Sequence, residues 1–284
     1  LWLLLPFTVG EAISQALAGR SATVQHIDSV GAWLLWGLGL VATLTPSTVA
    51  LTAVRVFGPA ALAAAVAAWI GGAGGATAAV AVVVGAAVAG LSLNRLVAHR
   101  HVNGSSYGDE LRFLLRTPAP LLLGPVELAV AIAIAGAVTG PMLLGAERWV
   151  AGGVAVVVGF PLVFVAMRSM HGLSRRWLVF VPVGMVVHDY STLIDSILLQ
   201  RKDIGVIGVP LSDRGALDLT GGAAGTRLRI ATITPTSVIP RPARRPGADG
   251  PPLEPLDVNA ILVAPVRAKV ALATASARRL PVDA

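Results

Sequence analysis

The chain has 284 residues, 55% of them hydrophobic and 13% charged, with a mean hydropathy of +0.76 and a net charge of +7. A soluble domain carries about 25% charged residues, so this much apolar surface exceeds what one globular core can hold, and bilayer is the natural solvent for the excess. Cysteine is absent, which excludes disulfides, thiol catalysis and cysteine-ligated metal centres.

Apolar runs repeat from Leu1 to Met170, separated by short polar loops. A spanning helix needs roughly 20 apolar residues, and the chain yields about six candidates. The first is Leu1 to Ala18; the chain opens on Leu1 without a Met, so a start further upstream is expected. No cleavable signal is expected, because a basic leading region is missing and Glu11 and Gln15 interrupt the apolar run. A polar stretch from Arg20 to Asp28 precedes the second span, Val30 to Leu44. Pro46 then stops the helix, and Ser47 is placed to cap the third span, Thr48 to Ile70. The run Gly71 to Gly75 is a break before the fourth span, Ala76 to Leu93. Residues 30 to 93 fit two long helices or three shorter ones. The fifth span is Leu121 to Leu144, with Gly140-Pro141 as an interruption, and the sixth is Trp149 to Met167.

Of the 22 basic residues 20 are Arg, and they gather at span ends, where topology rather than nucleic acid accounts for them. Arg95, Arg100, Arg112 and Arg116 follow the fourth span, and Arg168, Arg175 and Arg176 follow the sixth. The opposite loops hold Arg20 and Arg148. The richer side belongs inside, so an even count places both termini in the cytoplasm of a bacterial plasma membrane.

After Met170 the texture changes. Trp177 to Val181, a turn at Pro182-Val183-Gly184, and Met185 to His188 read as a hairpin. Ile197 to Leu199, Ile204 to Val209, Ala216 to Thr220, Thr226 to Ile233 and Ile261 to Val263 are further strands. Pro240 to Pro255 reads as an exposed loop. Pro265 suits a helix start, with Val266, Val270, Ala273 and Ala277 on one face. The fold expected is an α-helical membrane bundle of about six spans (residues 1–170), followed by a small α+β cytoplasmic domain of short strands and a C-terminal helix (residues 174–284). That domain is a small β-barrel or a curled sheet closed by the helix.

The segment Asn103-Gly104-Ser105-Ser106-Tyr107-Gly108-Asp109-Glu110, continuing to Pro118, resembles a family of uncharacterised multi-pass membrane proteins of actinobacteria. The segment Arg175-Arg176-Trp177-Leu178-Val179-Phe180-Val181-Pro182, with His188-Asp189, does so too. That resemblance implies no activity and carries over no functional residue. The layout of the tail is similar to bacterial pleckstrin-homology-like domains, which implies a binding role.

Several residues are candidates for function. Arg55 and Glu127 lie inside apolar runs, where charge is costly and marks a functional site or a structural ion pair. The loop residues Asn103, Ser105, Ser106, Tyr107, Asp109 and Glu110 are dense in hydrogen-bonding groups. They suit a cytoplasmic ligand contact or, more simply, a capped turn leading into an amphipathic helix that lays Leu111, Leu114 and Leu115 on the bilayer. His99 and His101 with Asp109 and Glu110 make a weak metal set, and an interfacial role is the simpler reading. His188-Asp189 lacks a nucleophile at recognisable spacing. Gly221 to Gly225 lacks the Gly-Lys-Ser/Thr of a phosphate loop and reads as a hairpin loop. Arg168, Arg175 and Arg176 are candidate contacts to lipid head groups.

The pattern favours a non-enzymatic scaffold or binding protein. Its expected partners are the bilayer, anionic head groups and a membrane or cytoplasmic protein, with no cofactor, metal or nucleic acid. The alternative is a transporter or channel subunit using Arg55 and Glu127.

Overall fold

The structure is a computed structural model that describes residues 1–212, 214–241 and 254–283. The chain divides into two compact units, residues 1–104 with 126–171, and residues 105–125 with 172–284.

The first unit is helical. Its elements are α1 (Leu5–Leu17), α2 (Ala22–Leu44), α3 (Thr48–Ile70), α4 (Gly75–Ser92), α5 (Arg95–Asn103), α7 (Pro125–Gly145) and α8 (Trp149–Leu173). Five of these, α2, α3, α4, α7 and α8, are long and apolar enough to cross a membrane. The remaining expected span, Leu1 to Ala18, is not among these five. Leu1 to Ala18 forms a short 3-10 turn and then the 13-residue α1, about 20 Å long against a hydrocarbon core of about 30 Å. Instead, α1 buries Leu5, Val9 and Ala12, spaced as one helical stripe, in a cluster with Ala65 and Ala68 of α3 and Ala78 and Ala81 of α4. The polar residues that interrupt the run are used there. Gln15 accepts from the backbone N–H of Gly74, the residue that precedes α4 (3.1 Å), and donates to Glu11 (2.9 Å).

Residues 30 to 93 resolve into the end of α2 and two further helices. Ser47 caps α3 as expected, accepting from Ala50 N–H at 3.1 Å. Helix α2 starts earlier than expected because Ser21 caps it (Val24 N–H, 3.4 Å), drawing Gln25, His26 and Asp28 into its first turns. Gly140-Pro141 does not interrupt α7. Close approach explains Gly85 on α4, where a Cβ would meet the Leu62 Cα of α3 at 3.0 Å. It also explains Gly136 on α7, where a Cβ would sit 2.9 Å from the Gly159 carbonyl of α8.

The second unit holds β1 (Leu111–Leu114), the short α6 (Ala119–Leu122), β2 (Trp177–Val181), β3 (Gly184–His188), β4 (Ile197–Gln200), β5 (Ile204–Gly208), β6 (Leu217–Asp218), β7 (Leu228–Val238), β8 (Leu256–Val263) and α9 (Ala268–Ala277). They form two four-stranded sheets, β1-β2-β3-β4 and β5-β7-β8-β6. All neighbours are antiparallel except β6 and β8. Isolated bridges at Leu115–Pro265 and Leu193–Pro240 join the sheets at two corners. The alternation of β1 to β4 sends Phe113, Leu178, Phe180, Met185, Val187, Ile197 and Leu199 into one core shared with Ile230, Ile261 and α9. Most of the expected loop Pro240 to Pro255 lies outside the described residues.

Three expectations need correction. The segment after Glu110 is a strand rather than an amphipathic helix. Leu111, Phe113 and Leu115 alternate with Arg112 and Leu114, and Leu111 pairs with Phe180 in the distant β2. The glycines at 221–225 form a turn between β6 and β7 and not a hairpin loop, since these strands are not neighbours. Helix α9 turns Ala268, Ala271 and Ala275 inward and leaves Val270 37% exposed, because the small alanine face permits a closer approach to the sheet than the valine face would.

Strand β1 precedes α7 and β2 follows α8, yet they hydrogen-bond in one sheet. The chain between them therefore crosses a bilayer an even number of times: α7 and α8 both span, or neither does. Close packing in the helical unit can be checked with Gly85→Leu. This variant is expected to lose about 1–3 kcal/mol through overpacking, seen as a lower aggregation temperature in detergent. Gly90→Leu, where an added Cβ meets nothing within 4 Å, is expected to behave as wild type.

Candidate functional site

The densest polar constellation among the described residues surrounds the hairpin of β2 and β3. Trp177 opens β2 opposite His188, which closes β3. The residues just beyond, Arg176 and Asp189, therefore face each other across the mouth of the hairpin. Their side chains are 1% and 0% exposed. The Arg176 Nε and Nη2 donate to the two Asp189 carboxylate oxygens at 2.7 Å each, a two-pronged pairing that suits a guanidinium. Nη1 donates to the Arg116 carbonyl at 2.7 Å and Nη2 also reaches the Leu219 carbonyl at 3.5 Å. Asp189 further accepts from the Ser191 backbone N–H (2.9 Å) and hydroxyl (2.7 Å). Burial raises the Asp189 carboxyl, but the Arg176 guanidinium and the Ser191 donors outweigh it and hold the group below the usual carboxylate range. The pair organises the fold and offers no free reactive group.

Beside it runs a row of rings and guanidiniums. Trp177 and His188 stack at 5.2 Å between centroids, and Tyr190 meets His188 edge-on at 4.4 Å. The Arg112 guanidinium lies 4.9 Å from the Trp177 ring centre, and that of Arg175 lies 4.8 Å from the ring of Tyr190. Arg175 Nη2 also donates to the Tyr190 hydroxyl at 2.7 Å. His188 Nδ1 bonds the Ser196 hydroxyl at 2.6 Å, while its enclosed Nε2 has no hydrogen-bond partner among the described residues. Burial, then the charge of Arg175, push the His188 imidazole below its ordinary value against the opposing pull of Asp189. The shift favours the neutral form of the imidazole. Arg112 is held by Glu110, donating from Nε and Nη2 to its two oxygens at 3.0 and 3.1 Å, and from Nη1 to the Ser105 hydroxyl at 3.3 Å. The Arg112 bond holds Glu110 below its ordinary value.

The structure redistributes the residues singled out in the sequence. Arg176, a candidate head-group contact, is enclosed in the ion pair: its position at the hairpin mouth, not its charge, decides its role. Arg175 stays partly exposed, and Arg168 is exposed on α8. In the helical unit Arg55 is half-buried on α3 and Glu127 lies exposed in the first turn of α7.

Asn103 ends α5, donating to the His99 carbonyl at 2.8 Å. Ser105, Ser106, Tyr107, Asp109 and Glu110 belong to the second unit, where Tyr107 is 91% exposed and the Asp109 carbonyl accepts from Arg278. His101 is buried, with ring nitrogens 2.9 Å from the Val97 carbonyl and 3.1 Å from that of Ala42. Asp189 was not picked out as a partner of Arg176, although the expected hairpin, extended by one residue at each end, sets the two opposite one another.

Comparison with family models, curated proteins and solved structures finds no match to the chain.

Removing one member of the buried pair leaves the other uncompensated, at about 3–5 kcal/mol. Arg176→Met is therefore expected to unfold the second unit at a lower denaturant concentration, with Arg176→Met/Asp189→Leu recovering much of the loss. A sum of the two single effects in the double variant would contradict a coupled pair. The pH dependence has a definite sign. The folded-state pKa of Asp189 is depressed, so its contribution is present above the unfolded value of about 3.9 and is lost as pH falls through the folded value. Acid unfolding followed by tryptophan fluorescence is expected to be less steep for Asp189→Asn.

Proposed function

We propose that the chain is a multi-pass protein of the bacterial plasma membrane that acts by binding rather than catalysis. Its β-rich unit serves as the cytoplasmic module that engages anionic lipid head groups. The observation that carries this reading is that the unit is built from chain on both flanks of the α7–α8 hairpin. A module closed in this way is held at the surface of the bilayer by two connections, so its exposed polar groups meet head groups at high effective concentration. Orientation is supported by Arg95, Arg100, Arg168 and Arg175 on the side of this unit against Arg20 and Arg148 on the other. Five crossings are an odd number, so of the two termini only the C-terminus is assigned to the cytoplasm. The segment preceding α2 is then assigned to the opposite side.

Two measurements test this. Tyr107→Cys introduces a single thiol into a cysteine-free chain. It is expected to react with a membrane-impermeant maleimide only in inverted vesicles, and a reporter fused after Ala284 is expected to read as cytoplasmic. Reaction from the outside would overturn the orientation, and a disagreement between the two probes would contradict the β1–β2 pairing. For binding, the unfolding midpoint of the full chain in nanodiscs is expected to rise as phosphatidylglycerol replaces phosphatidylcholine, because a ligand of the folded state stabilises it. A midpoint independent of lipid charge would remove the lipid-binding reading.

A further inference from the structure

We infer that the row Arg175–Tyr190–His188–Trp177 is the head-group site itself, with the phosphate of an anionic phospholipid seated on Arg175 and the Tyr190 hydroxyl. This inference rests on the binding reading above and names its residues. Three observations lead to it.

The first is chain length. Helix α8 has 25 residues, about 37 Å, which exceeds a hydrocarbon core of about 30 Å. Its final turns therefore reach the head-group layer. Trp177 follows Leu173 by four residues, at most about 14 Å of extended chain. His188 lies opposite Trp177 in the register, and Tyr190 and Arg175 are adjacent to this pair. The row thus occurs at the end of the sheet where the chain enters from the membrane. The second connection leaves from the same end, because Leu114 also pairs with Trp177. From there the chain runs through Leu122 and Leu123, 48% and 84% exposed, into Pro125. Two exposed leucines beside a span suit the acyl boundary.

The second observation is chemical. Tryptophan, tyrosine and arginine together are the residues that an interface between hydrocarbon and head groups favours. The ring edges lie among acyl chains and glycerol while the cation meets phosphate.

The third is availability. Arg112 is neutralised by Glu110 and Arg176 by Asp189. Arg175 spends only Nη2, on Tyr190, and its remaining side-chain donors have no protein partner among the described residues. The Tyr190 hydroxyl, which accepts from Arg175, still has its own proton to donate, and Tyr190 is 39% exposed. A phosphate oxygen placed between them completes a donor pair held in place by the ring ladder beneath it.

The test uses the full chain in nanodiscs containing equal parts of phosphatidylglycerol and phosphatidylcholine. Retained lipids are counted by native mass spectrometry, and the unfolding midpoint is taken in parallel. Arg175→Gln is expected to lower the preference for phosphatidylglycerol about fivefold and to reduce the midpoint rise that phosphatidylglycerol produces. Arg175→Lys is expected to keep most of both, since the charge remains. Tyr190→Phe is expected to give a smaller loss of preference, with the midpoint in pure phosphatidylcholine unchanged. Arg214→Gln, at an exposed position in the loop between β5 and β6, is expected to match wild type. If Arg175→Gln and Tyr190→Phe retain the lipid preference while wild type is stabilised by phosphatidylglycerol, the site assignment falls and the binding reading stands. If wild type shows no preference at all, both fall. Displacement of the lipid by soluble glycerol phosphate at equal concentration would overturn the lipid assignment in favour of a free anion.

Discussion

The Arg176–Asp189 pair is the constraint on which the second unit depends. Two charges without solvent carry a desolvation cost of several kcal/mol each, and the arrangement offsets it by leaving no strong donor or acceptor idle. The carboxylate takes both prongs of the guanidinium and two donors from Ser191. The third guanidinium nitrogen goes to the Arg116 carbonyl. Such a pair adds little net stability over a well-packed apolar substitute, and its effect is on geometry. Here it ties three separate stretches together: the mouth of the β2–β3 hairpin, the chain leaving β1 at Arg116, and the chain leaving β6 at Leu219. A slipped register at any of them would strand a buried charge. Competing strand pairings are therefore penalised far more than the native one is rewarded.

That selectivity matters because of how the unit is put together. Arg116 and Arg176 are sixty residues apart in sequence, and the interval contains α7 and α8. Where α7 and α8 cross a bilayer, the β1–β2 ladder and the ion pair can form only once the chain on both sides of the hairpin is on one side of it. Non-local pairing of this kind is slow because loop closure must precede the contacts that reward it. An inserted α7–α8 hairpin shortens that search by bringing its two ends together.

The same logic separates what was legible in the residues from what was not. Features with a local cause were readable. The caps at Ser47 and the turn at Pro182-Val183-Gly184 follow from side-chain chemistry a few residues long, and the strands from Trp177 onward carry their own alternation. Leu111 to Leu115 has the same alternation. Beside a polar loop and an apolar run it passed for an amphipathic surface segment, because its partner β2 lies beyond the two long helices α7 and α8. Burial was the other blind spot. Val270 outranks alanine in hydrophobicity, yet α9 presents alanines to the sheet, because fit against a close surface outweighs transfer energy per side chain. The apolar stretch Leu1 to Ala18 carries no sign of the neighbours it packs on, Ala65 and Ala68 of α3 and Ala78 and Ala81 of α4.

The candidate site was partly legible for a related reason. Charge counting groups Arg168, Arg175 and Arg176 as equivalent cations at a span end, and the fold makes them three different things. Arg176 is enclosed because strand pairing places it one step beyond Trp177, where Asp189 awaits it. Arg175, one residue earlier, points away from that core onto Tyr190. Arg168 remains on the helix. A cation is available to a ligand only to the extent that the fold has not already neutralised it, so net charge near a membrane overstates binding capacity. The aromatic row raises it again in one place. Trp177, His188 and Tyr190 hold the Arg175 guanidinium against a ring face with part of its donor set open, and a partly desolvated cation interacts with phosphate more strongly than a freely hydrated one. On the proposed reading, selectivity comes from one oriented arginine and its rings, and the remaining basic residues act on orientation across the bilayer.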